Sequence, residues 1–152
     1  MKRLFICFIS FIVIFSACDN APKYSLEDTS DESYRLAGVE LFVEAVTPKD
    51  LSFYFENTTE DEYIYGEPYA LYVRKNNDWE PVELIIEPLE FEFTLVAYFL
   101  TPHSITEART VNWEWAHGEL SGGDYKFQKE ILFIREAGNH DRYLLEREFS
   151  LP

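Results

Sequence analysis

The sequence predicts an all-β chain folded as an antiparallel sandwich of about seven to nine short strands. Three observations carry this expectation. From Val39 onward, apolar and polar residues alternate with the period of two that a half-buried strand requires. Clusters of Asn, Asp, Gly, Pro and Ser interrupt the alternation, and nothing between them has the 3.6-residue period of an amphipathic helix. Aromatic residues make up 17% of 152 positions, which supplies enough large side chains for one core in a chain with room for one ordinary domain.

The chain divides into residues 1–17, 18–37 and 38–152. Lys2 and Arg3 precede an apolar run from Leu4 to Phe15 broken only by Ser10, and Ser16 and Ala17 then lead to Cys18. This is the layout of a secretory signal. As a helix the run would reach roughly 18 Å, against a hydrocarbon core of about 30 Å, so it is short for a permanent span. Residues Phe15-Ser16-Ala17-Cys18 resemble the lipobox of bacterial lipoproteins, in which the signal is cut before a cysteine that carries lipid. The resemblance implies lipidation of Cys18 and a membrane partner reached through that lipid. Two or three acyl chains hold a protein firmly where one does not.

Residues 18–37 follow as an acidic, flexible linker. Between Asp19 and Leu36 the chain is polar and lacks either periodicity, and its span is on the order of 23 Å, enough to clear the headgroups. Removing the signal takes away two of the 13 basic side chains and none of the 28 acidic ones, so the mature chain is more acidic than the −15 of the whole. A surface of that sign repels phosphate backbones, which argues against nucleic-acid binding. The two cysteines are Cys7, inside the signal, and Cys18, so no disulfide can form within residues 38–152.

Within the domain Val39, Leu41 and Val43 alternate with Glu40, Phe42 and Glu44, and after the turn residues Thr47-Pro48-Lys49-Asp50 the pattern resumes at Leu51, Phe53 and Phe55. A polar loop at Asn57 to Asp61 separates these from short strands at Glu62–Tyr65 and Tyr69–Arg74, and Trp79 and Val82 begin a return. A strand is expected from Phe91 to Leu100, covered on both faces from Val96. Thr106 to Trp115 continues extended, with Val111, Trp113 and Trp115 on one side. A single helical turn is expected within Trp115 to Leu120, and the last strands are Tyr125–Arg135 and Tyr143–Phe149, joined by a loop from Glu136 to Asp141.

The sharpest local signal is Leu120-Ser121-Gly122-Gly123-Asp124-Tyr125-Lys126-Phe127. A Leu, a Gly two before a Tyr and an inward residue two after it reproduce a tyrosine corner, in which the phenol folds back onto backbone and fixes the corner opening the penultimate strand. Leu120, Gly123 and Tyr125 would carry it. Phe127 then stands where antibody domains place their second cysteine, so the sandwich is immunoglobulin-like with an aromatic in place of the bridge.

Together with Tyr63-Ile64-Tyr65-Gly66-Glu67-Pro68-Tyr69-Ala70-Leu71, Trp79, Leu100, Pro102, Val111 through Trp113 and Gly118, these residues resemble a bacterial immunoglobulin-like domain found in cell-surface lipoproteins of Gram-positive species. The resemblance spans roughly Gly38 to Phe149. It implies a fold and a surface location and carries no catalytic residues.

Little else in the sequence speaks for chemistry. His103, His117 and His140 are isolated and fall in expected turns or loops, without a metal-ligand spacing. His103 beside Ser104 lacks a nucleophile elbow or an orienting third group. Glu90 and Glu92 share a strand face, but a paired-carboxylate hydrolase also needs a deep cleft. No catalytic residue, metal or cofactor is assigned. Tyr63, Tyr65, Tyr69, Trp113 and Trp115 either form an exposed aromatic surface for binding or build the core in place of the missing disulfide. The expected role is a membrane-anchored, extracytoplasmic, non-enzymatic interaction module for a protein, peptide or cell-wall ligand. The alternatives are an accessory protein that occludes an envelope enzyme through the loops at 57–61 and 136–141, and a small envelope hydrolase.

Overall fold

The computed structural model of the protein describes residues 36–86, 93–94, 96–136 and 138–152. The expected signal, Cys18, all but the last two residues of the linker, and Glu90, Phe91, Glu92 and Leu95 lie outside them.

Among the described residues nine strands and one helical turn follow in order: β1 (Val39–Val46), β2 (Asp50–Asn57), β3 (Tyr63–Lys75), β4 (Asp78–Pro81), β5 (Tyr98–Leu100), β6 (Ser104–Ile105), β7 (Arg109–Asn112), α1 (Glu114–His117), β8 (Gly123–Glu136) and β9 (Asn139–Leu151). Every pairing is antiparallel. In one sheet β1 pairs with β2, whose other edge takes β6 and then β7. In the other the order is β4-β3-β8-β9, with β5 also on β3. The first sheet is thus three lanes wide and the second four. The chain is an all-β antiparallel sandwich, as its alternation requires.

The alternating residues meet between the sheets. Phe53 of β2 packs on Phe127 of β8 with ring centroids 5.4 Å apart, and Phe55 packs on Tyr65 of β3 at 4.7 Å. Toward the opposite end Trp113 stacks on Phe149, which stacks in turn on Tyr125. Leu51, Phe55, Leu100, Trp113, Phe127 and Ile131 are completely enclosed. Full burial of a side chain of this size contributes about 1.5–3 kcal/mol, so this layer dominates what holds the sheets together. Two polar ring atoms of this layer reach backbone carbonyls: Trp113 Nε1 donates to the Pro48 carbonyl at 2.9 Å, and Tyr125 Oη donates to the Ser121 carbonyl at 2.9 Å.

Several boundaries depart from the sequence reading for local reasons. Tyr63–Tyr65 and Tyr69–Arg74 are one strand, β3, interrupted by a bulge: Tyr65 pairs with Ile131 but Tyr69 with Lys129, so four residues of β3 span two of β8. Gly66-Glu67-Pro68 supplies the disruption, because Pro68 has no N–H for the ladder. Where a strand was expected up to Leu100, regular pairing among the described residues begins only at Tyr98. Double-sided cover is also absent there, since Phe99 is 64% exposed while Leu100 is buried. The helical turn, expected within Trp115 to Leu120, spans Glu114–His117, and Gly118, with φ of 74°, ends it. That turn rotates Trp115 away from Val111 and Trp113 and leaves it exposed. The expected loop from Glu136 to Asp141 is a tight connection, because β8 and β9 continue as a hairpin to Glu136 and from Asn139, with Gly138 at φ 83°.

Replacing Tyr125 with Phe removes one hydrogen bond and nothing else, so the variant is expected to lose on the order of 1 kcal/mol in urea unfolding. An unchanged midpoint at equal slope would show that the Ser121 contact contributes nothing.

Candidate functional site

The five aromatic residues singled out as a possible binding surface do not form one. Tyr63, Tyr65 and Trp113 are buried in the core, and Tyr69 is half-buried with its ring 5.9 Å from that of Phe127. Only Trp115 is exposed, and its indole N–H is tied to the Asn112 carbonyl at 3.0 Å. The physical reason is burial: these large rings gain most by leaving water, and the space between the sheets receives them.

An opening lies instead at one edge of the sandwich, where β5 belongs to the four-lane sheet and β6 and β7 form the edge of the three-lane sheet. Two hollows flank Arg109 there. One, of 270 Å³, is lined by Tyr65, Tyr98, Phe99, Thr101, Ser104, Ile105, Thr106, Glu107 and Arg109. The other, of 240 Å³, is lined by Phe53, Gly66, Glu67, Ala108, Arg109, Thr110, Val111 and Lys129. Between them the Arg109 guanidinium lies 3.4 Å above the Tyr98 ring and 3.6 Å from Glu67 Oε1, and the Tyr98 hydroxyl donates to that same carboxylate. The bond to Glu67 is the main cause of a Tyr98 pKa above the usual phenol range, with burial adding to it. Phe99 and Ile105, each 64% exposed, border the first hollow. The cleft therefore offers apolar area at its lip and a fixed guanidinium–phenol–carboxylate group at its centre, the mixture found in binding surfaces.

Lys129 braces this cleft from within. It occupies β8 with almost no exposure, and its ammonium donates to the carbonyls of Gly66, Glu67 and Pro68 at 2.6, 3.1 and 2.8 Å. Those are the bulge carbonyls that β8 fails to meet in register, so the cation satisfies what the ladder leaves open. The Phe53 ring lies 5.3 Å from Nζ. Burial holds the Lys129 pKa down to about 8, opposed by the Glu67 charge and aided by Arg109. Lys129 thus stays cationic at neutral pH and fixes the segment that presents Glu67.

The remaining candidates are dispersed. His103 pairs with Glu60 at 2.9 Å, His117 Nδ1 lies 3.0 Å from the Glu83 carbonyl, and His140 is an exposed residue of β9 rather than of a loop. No group of three or more His, Cys, Asp or Glu is placed to hold a metal among the described residues. Ser104 Oγ is tied to the Thr101 carbonyl at 2.6 Å. The 57–61 loop is held shut: buried Asn57 donates to the carbonyls of Asp61 and Thr101 at 2.8 and 3.0 Å and accepts from the Thr59 N–H and hydroxyl at 2.9 and 2.8 Å.

Two antiparallel sheets packed through alternating residues, with a tyrosine fixing the turn into the penultimate strand, define an immunoglobulin-like domain. Residues 35–150 match the bacterial Ig-like domain family, and the chain belongs to it. Among solved structures it is similar to the complex of the archaellum periplasmic stator proteins FlaF and FlaG from Sulfolobus acidocaldarius, at 16% identity over 82% of this chain and 99% of that one, with a TM-score of 0.41. FlaG from the same organism is similar at 15% identity over 73% and 99%, with a TM-score of 0.37. The ASH or PapD-like domain of human CEP192 is similar at 13% identity over 85% and 95%, with a TM-score of 0.38. No curated protein matches the chain.

The lowered pKa of Lys129 makes a signed prediction. A lysine whose folded pKa lies below its unfolded value of 10.5 loses its proton first in the folded state, so its contribution to stability rises as pH climbs from about 8 to 10.5. Relative to Lys129→Met, the wild type should gain up to about 1.4 kcal/mol per pH unit across that window in urea unfolding. A constant difference would show that Lys129 titrates no differently in the two states.

Proposed function

We propose that this protein is a lipid-anchored, extracytoplasmic interaction module, non-enzymatic, held to the membrane through Cys18 and engaging a protein, peptide or cell-wall component at the cleft between β5 and β6–β7. The observation that carries the proposal is that cleft, where Phe99 and Ile105 leave large apolar surface at its lip beside the Arg109–Tyr98–Glu67 cluster. Exposed hydrophobic side chains gathered around a concavity, rimmed by polar groups, mark binding surfaces more often than scattered ones do. Membership of the bacterial Ig-like family supports display of a binding surface on a rigid sandwich. The basic start, apolar run and lipobox-like Phe15-Ser16-Ala17-Cys18 support export and acylation. A linker on the order of 23 Å would hold the acidic domain beyond the Debye length of about 8 Å at which headgroup repulsion fades.

Cells fed an alkyne-bearing fatty acid should label the wild type and leave Cys18→Ser unlabelled. A photo-crosslinking residue placed at Phe99 in intact cells should capture a discrete partner that one placed at Trp115 does not. Unlabelled wild-type protein would refute the anchor, and capture from Trp115 but not from Phe99 would refute the cleft.

A further inference from the structure

We propose that the outer face of the three-lane sheet docks a basic surface of a partner protein, receiving an Arg or Lys side chain at the facing carboxylates of Glu40 and Glu56 beside the Tyr54 ring. That face adjoins the cleft only at Ile105 and is independent of what the cleft binds. The strand register places its residues. Val39, Leu41, Phe53 and Phe55 are buried in the core, so the opposite side of β1 and β2 carries Glu40, Phe42, Tyr54 and Glu56. Glu40 lies directly opposite Glu56, whose other neighbour is Ile105 of β6, so one row crosses all three lanes as Glu40, Glu56 and Ile105. Two residues further on, about 7 Å along the strands, Phe42 lies opposite Tyr54, and their rings stack at 5.1 Å. Like charges directly opposite each other on paired strands are destabilising. Among the described residues neither Glu40 nor Glu56 has an ion pair or a side-chain hydrogen bond to offset this.

The four-lane sheet treats its outer face differently. There Lys126 pairs with Glu146 at 3.0 Å, Arg142 pairs with Glu130 at 2.9 Å, and Gln128 donates to Glu146 at 2.8 Å. By contrast β1, β2, β6 and β7 together contain a single basic residue, Arg109, and it turns inward onto Tyr98. At the margins, Lys49 is held by Glu114 at 2.6 Å, and Arg147 reaches across from β9 to 5.2 Å from the Phe42 ring. The strands of the three-lane sheet thus bring one sign of charge to their outer face, and the four-lane sheet mixes both.

That asymmetry decides the occupant. A guanidinium or ammonium set against the two carboxylates relieves their repulsion, and an aromatic ring beside them adds a cation–π contact. The molecule already uses the ring stack in this way at its β1 end, where Arg147 lies over Phe42. At the other end no residue of the third lane is in register with Tyr54, and Phe42 is its one ring contact among the described residues, so a partner's cation can approach from that side. Phe42, Tyr54 and Ile105, which is 64% exposed, give the apolar stem of such a side chain something to lie on. A wholly apolar partner would bury Glu40 and Glu56 unpaired, and a second copy would set carboxylate against carboxylate on a chain that already carries −15.

The test uses the full-length chain in detergent and three nine-residue peptides, capped at both ends, that repeat Leu and Gly with Arg, citrulline or Glu; a neutral N-acetylglucosamine oligomer is the fourth probe. In an NMR titration the Arg peptide should shift amides at 40–42, 54–56 and 105 and bind about tenfold more tightly than its uncharged citrulline isostere, with the Glu peptide weaker still. Combining Glu40→Gln with Glu56→Gln should weaken the Arg peptide about tenfold and raise the urea midpoint of the free chain, because the repulsion that a bound cation relieves is then gone. Tyr54→Leu should also weaken binding, and Glu148→Gln on the four-lane sheet should not. Equal binding of the Arg and citrulline peptides, shifts confined to other residues, undiminished binding by the double variant, a midpoint that does not rise, preference of this face for the saccharide, or no binding at millimolar peptide would each overturn the inference. A crosslinker at Phe99 that still captures a partner would leave the cleft reading standing in every one of these cases.

Discussion

Everything in this fold depends on two sheets being joined without a covalent bridge. Both cysteines precede residue 38, so the cross-sheet contact that immunoglobulin domains often make through sulfur is made here by rings. Phe53 on β2 and Phe127 on β8 face each other at 5.4 Å near the centre, and aromatic pairs of this kind contribute about 0.5–1.5 kcal/mol beyond their burial. A native disulfide in a small domain is worth about 2–5 kcal/mol, so one pair does not replace it. The surrounding layer of Phe55, Tyr65, Trp113, Tyr125 and Phe149 makes up the difference, which is why so large an aromatic fraction is found inside rather than on display.

The same packing shapes the cleft. Tyr65 and Phe53 belong to the core and also line the two hollows, so the cleft is built directly on the buried centre of the sandwich. β3 must bulge at Gly66-Glu67-Pro68 to pass this point, and Lys129 compensates by donating to all three bulge carbonyls. The result is a carboxylate held where Tyr98 and Arg109 meet it, at an edge where one sheet is a lane narrower than the other. Packing in the core, hydrogen bonding of the bulge carbonyls and exposure at the edge are thus parts of one arrangement.

Much of the fold is legible in the sequence because burial imposes its own period. The inward set Leu51, Phe53 and Phe55 can be read straight from the alternation, and so can Tyr125 and Phe127. The cleft is less legible, because it arises from sheets of unequal width, and no local pattern records how many strands each sheet holds. Arg109 and Glu67 look like ordinary surface charges until strand pairing brings β3, β5 and β7 together. Lys129 did leave a trace: it falls on the inward phase between Phe127 and Ile131, where a charge is costly unless something waits to receive it. Trp113 and Trp115 mislead because two residues of alternation are replaced by a helical turn, which sends the second ring outward.

The claim that rings hold the sheets together is tested most directly by a double-mutant cycle on Phe53→Leu and Phe127→Leu, read by urea unfolding. The account predicts a coupling of about 0.5–1.5 kcal/mol between the two substitutions, because each removes the partner of the other across the interface. Losses that simply add would mean that the two rings contribute only their separate burial, and the idea that direct ring contact at this point takes the place of a bridge would be wrong.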